Sequence, residues 1–79
     1  MEREVAMYRK HLEQVELREN AMAARARAAR ARRLAARSHR GSAAAFECHA
    51  ATLEKRAAIV EDQARRLEAA LNAEPVEEA

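Results

Sequence analysis

Cysteine, glycine and proline occur once each in the 79 residues, tryptophan is absent, and phenylalanine and tyrosine contribute one residue apiece. A single cysteine excludes an intrachain disulfide framework and any zinc finger built on paired cysteines. With one glycine and few β-branched residues, the chain is poorly suited to sheets, to glycine-rich phosphate loops and to Rossmann-type nucleotide sites. No apolar run approaches the roughly 18 residues that a membrane span needs. The opening residues Met1-Glu2-Arg3-Glu4 lack the apolar core of a secretory signal. A chain this short also buries only a thin core, and an alanine-rich one buries less per residue. What remains is an all-α chain, with a cytoplasmic location as the expectation.

Alanine and arginine are what the sequence has in excess. There are 22 alanines, and arginine outnumbers lysine by 13 to 2, yet the net charge is only +2. GC-rich coding favours both residues, so their abundance says little and their placement carries the information.

One plain break, Arg40-Gly41-Ser42, divides the chain. Glycine there suits the left-handed position that ends a helix, and serine suits the cap of the next one. The expected layout is one domain over residues 1–72. Its first helix spans about 2–40 and is roughly 58 Å long at 1.5 Å per residue. The turn falls at 41–42, and the second helix runs over about 43–72, where Asn72 closes it. Residues 73–79 form an acidic tail, expected to be disordered.

Hydrophobic spacing is the strongest signal. In the second helix Phe46, Ala50, Leu53, Ala57, Val60, Ala64, Leu67 and Leu71 alternate steps of four and three. In the first helix Val5, Tyr8, Leu12, Val15, Met22, Ala26, Ala29 and Ala36 keep the same steps. Four heptads in each segment predict an antiparallel two-helix coiled-coil hairpin. On this heptad frame Glu47, Glu54, Glu61 and Glu68 flank the second helix, and folding sets Arg37 near Glu47 and Arg30 near Glu54. The same frame sets Glu16 against Glu68, an unfavourable pair. It also puts Glu19 and Arg33 at core positions, where a polar residue selects register or partner at a cost in stability.

Two features predict self-association. The first helix outruns the second, leaving Met1, Val5 and Tyr8 without an opposite helix. A second apolar line, Leu17, Ala21, Ala24, Ala28, Ala31 and Ala35, marks another face of the first helix, and a helix apolar on two sides packs on two sides. The expected assembly is a homodimer of hairpins forming a four-helix bundle.

Charge is segregated along the chain: residues 1–20 sum to −1, residues 21–46 to +7 and residues 47–79 to −4. Two functions fit. The favoured one is a non-enzymatic protein–protein interaction module (adaptor, assembly factor, chaperone or inhibitor) with Met1, Val5, Tyr8, Leu17 and Ala24 as partner contacts. The alternative is a dimeric hairpin that binds nucleic acid through Arg25, Arg27, Arg32, Arg33 and Arg40. No aromatic residues interleave with these arginines, which argues against stacking on single strands. An alanine-dominated apolar face argues against membrane-surface binding. His39, Cys48 and His49 near the turn do not make a zinc set, because Cys48 points away from the expected pairing face. No nucleophile, base and orienting group converge, so neither catalysis nor a cofactor is expected.

Overall fold

The computed structural model describes residues 2–73, which form two helices, α1 (Glu2–Ala36) and α2 (Arg40–Ala73). Met1 and the expected acidic tail from residue 74 onward lie outside the described residues. The helices lie antiparallel against each other in a rod about 65 Å long. The fold is an all-α hairpin.

The turn sits earlier than the glycine suggested. α1 stops at Ala36, four residues short of the expected Arg40, and the reversal is made by Arg37, Ser38 and His39. The amides of Arg37 and Ser38 donate to the carbonyls of Leu34 and Ala35, three residues back, which tightens the last turn. Ser38 Oγ donates 2.6 Å to the same Leu34 carbonyl, which thus accepts twice at the helix end. Serine competing for backbone groups in this way is a helix-ending device that needs no glycine. The His39 carbonyl accepts the first bond of α2, from the Ala43 amide at 2.7 Å. Gly41 and Ser42 therefore belong to the first turn of α2, and Gly41 has no positive φ.

The packing face of α2 is the one that its spacing predicted. Ala50, Leu53, Ala57, Ala64 and Leu71 are buried, with Phe46, Val60 and Leu67 half-buried between them. The packing face of α1 is a correction. The covered residues are Ala21, Ala28, Ala31 and Ala35, with Gln14, Leu17 and Ala24 half-buried along the same line. Ala28 and Ala31 join Ala50 and Leu53 in one buried cluster. The line starting at Val5 and Tyr8, expected to face α2, is exposed instead, and so are Glu19 and Arg33.

The reason is complementarity of size and charge. α2 brings the bulk at its contact line through Leu53, Val60, Leu67 and Leu71. α1 answers with alanines, so the two backbones approach closely and the leucines fill the space between. Large residues on both sides would overfill that space.

Candidate interaction surface

Three interhelical ion pairs set the register. Arg18 Nη2 lies 2.5 Å from Glu68 Oε2. Arg25 grips Glu61 with two bonds, from Nε at 2.7 Å and Nη2 at 2.5 Å. Arg32 grips Glu54 in the same two-pronged way. Each step of seven residues back along α1 matches a step of seven forward along α2, as antiparallel heptads require. Arg32 thus takes the place expected for Arg30 beside Glu54, no ion pair joins Arg37 and Glu47 among the described residues, and the repulsive Glu16–Glu68 pairing disappears because Glu68 meets Arg18. The hydrogen bonds to arginine hold the carboxyls of Glu54 and Glu61 below the usual carboxylate range. The same bonds raise the pKa of Arg32 and Arg25 in return. The side chains of all three pairs are between about a third and a half open to solvent, and the pairs are screened by salt.

This register fixes what α1 leaves uncovered. Leu12, Val15, Met22, Ala26 and Ala29 each stand two residues before a member of the covered line. Two residues subtend about 200° on a helix, so the second line lies nearly opposite α2. It carries the larger side chains: Met22 is 72% exposed and Tyr8 65%, with Val5, Leu12 and Val15 about half exposed, whereas Ala28 is 1% exposed. On the same register α2 ends level with about Glu13, and Val5 and Tyr8 stand on the stretch of α1 beyond it.

Among the expected partner contacts, Val5 and Tyr8 are therefore open, whereas Leu17 and Ala24 lie half-buried on the line that faces α2. Met1 lies outside the described residues. The open residues missing from that set are Leu12, Val15 and Met22. Their spacing fits the hairpin contact equally well. The signal that separates the two lines was in the charges: Arg18, Arg25 and Arg32 match Glu68, Glu61 and Glu54 one for one. Glu16, Ala23, Arg30 and Arg37 do not.

The arginines divide likewise. Arg25 and Arg32 are held by glutamates. Arg27, Arg30, Arg33 and Arg37 make no ion pair among the described residues; the first three fall within about a third of the circumference of α1, bordering the open stripe, and Arg37 lies in the turn. Arg40 stands apart, at the start of α2. Arg27, Arg30, Ala31, Leu34, Phe46 and His49 line a shallow open groove of about 330 Å³. Cys48 is exposed, as its outward heptad position predicted. Among the described residues no three histidine, cysteine or acidic side chains gather as metal ligands. No described helix is long and apolar enough to cross a membrane.

Comparison of the chain with protein-family models, with curated proteins and with solved structures gives no match.

Proposed function

We propose that the protein is a non-enzymatic interaction module, a helical hairpin of coiled-coil type that works by docking the open stripe of α1 on a protein surface. The observation that carries this reading is the line of Val5, Tyr8, Leu12, Val15 and Met22, all exposed on the side of α1 turned from α2. Scattered exposed apolar residues are ordinary, but a line at helix spacing, here broken only by Glu19, is what a helix-binding partner covers. Tyr8 is the large amphipathic anchor of the set. Two hairpins joined on this stripe would make a four-helix homodimer. The test replaces Val15 and Met22 together by Glu. Helicity and the melting of the diluted hairpin should hold, while association, with itself or with any captured protein, is lost. Association that survives both substitutions contradicts the reading.

A second reading has its own observation. With Arg25 and Arg32 occupied by glutamates, the remaining Arg27, Arg30 and Arg33 share one side of α1 with Arg37 just beyond it in the turn, a geometry suited to following a phosphate backbone. Binding to labelled duplexes should then fall steeply with salt. It should vanish when these four become Gln and persist when Arg25 and Arg32 do. Flat anisotropy at low salt removes this reading.

A further inference from the structure

The stripe has a direction, and the direction identifies its occupant. Along the open side of α1 the first half carries Glu16 and Glu19, whereas the second half carries Arg30 and Arg33, with Arg37 just past its end in the turn and no acid among them. None of these five has an ion-pair partner among the described residues. The apolar residues between them are the large Leu12, Val15 and Met22 in the first half and the small Ala26, Ala29 and Ala36 in the second. Both charge and size are therefore complementary end to end: the acidic, bulky half fits the basic, small half of the same surface turned around. From this we propose that a second copy of the chain covers the stripe from about Val15 to Ala36, with its α1 running antiparallel to the first and Val5 and Tyr8 projecting beyond the overlap. A parallel arrangement would stack six arginines together and set Glu16 and Glu19 against their own copies, and like charges so placed are repulsive. Antiparallel pairing brings each cluster against its opposite, twice, by the two-fold symmetry of such a contact.

Surface area supports a partner of this size. The chain exposes 6520 Å², against about 4,800 Å² for a compact chain of 8.9 kDa. The excess of about 1,700 Å² per chain exceeds the roughly 800 Å² that each partner contributes to a standard interface. Because stripe and seam lie on opposite sides of α1, the four helices would stand in a row, α2–α1–α1–α2. A square bundle needs the two contact faces of each helix about 90° apart, and here they are about 160° apart.

This inference rests on reading the stripe as the interaction surface, and the experiment separates the two. In a Cys48→Ser background, spin labels are attached to single cysteines at Ala26→Cys or Ala36→Cys, both exposed positions on α1. Distances between copies are then measured, with circular dichroism confirming that each variant remains helical. The antiparallel dimer places the labels at 26 near its centre, within about 20 Å. It separates the labels at 36 by about 25–36 Å, the rise of some 17–24 residues. Short distances at both positions mean parallel pairing and overturn the proposal. A labelled protein that stays monomeric at high concentration overturns it too, while leaving the stripe open to a different partner and to the Val15/Met22 test above.

Discussion

α1 carries two apolar lines of identical spacing, two residues out of phase, and they have opposite fates. One, built from Ala21, Ala28, Ala31 and Ala35, is covered by α2; the other, built from Val5, Tyr8, Leu12, Val15 and Met22, is open to solvent. The larger side chains are on the open line. Hydrophobic size alone thus does not decide which face a helix buries. What decides it is fit to the neighbour: α2 already supplies leucine and valine at the contact, and its row of glutamates needs the arginines that flank the alanine line.

The largest expected effect tests the covered side. Leu53→Ala removes the bulk that fills the seam beside Ala28 and Ala31 and should cost about 2–5 kcal/mol in thermal or denaturant unfolding. In a structure this thin, that approaches the whole stability of the hairpin. Unchanged melting would mean that Leu53 is not at the contact.

A matched pair sharpens the comparison between faces. Ala28→Leu overfills the closed seam and should destabilise the hairpin by about 1–3 kcal/mol. Ala26→Leu, two residues away on the open side, should leave the melting of diluted protein unchanged and strengthen association. Equal effects from the two substitutions would erase the distinction between the lines.

The turn offers a smaller test with a sign that separates two structures. Gly41 lies within the first turn of α2 with no positive φ and open space around the position of a Cβ. Gly41→Ala should therefore stabilise by about 0.5–1 kcal/mol, through helix propensity and a less flexible unfolded chain. A left-handed glycine closing α1, as the sequence suggested, would make the same change destabilising.

Acid titration gives the smallest effect. The folded-state carboxyls of Glu54 and Glu61 are depressed below the ordinary value of 4.5 by their hydrogen bonds to Arg32 and Arg25. Their contribution is therefore present above about pH 4.5 and is lost as the pH falls through the depressed folded values. Replacing Arg25 and Arg32 by Gln should flatten that acid limb of the melting curve.

Much of the fold was legible in the sequence. The scarcity of glycine and proline, the heptad spacing and the single break specify two helices folded back on each other. The contact line of α2 was legible as well, because that helix has only one apolar line to bury. α1 was ambiguous because its alanines fit either phase, and the presence of Val5, Leu12 and Val15 favoured the wrong one. The Glu16–Glu68 clash was the warning. A register that leaves one repulsive pair is worse than one that satisfies Glu54, Glu61 and Glu68 together. The turn was misplaced because glycine is the commoner helix terminator, whereas here Ser38 closes α1 through its own side chain. Val5 and Tyr8 are exposed, as their position beyond α2 leads one to expect. Leu12, Val15 and Met22 were hidden by their assignment to the hairpin contact.

The most direct test of which side of α1 faces α2 is a charge exchange across the seam, read as thermal melting at low salt. Reversing Glu54, Glu61 and Glu68 to Arg lines both helices with cations and should lower the melting temperature sharply. Adding Arg18→Glu, Arg25→Glu and Arg32→Glu should restore it, since every pair is then re-formed with its charges exchanged. Restoration by Arg30→Glu and Arg37→Glu instead, with no rescue from the first three, would contradict the register and return the larger apolar line to the inside of the hairpin.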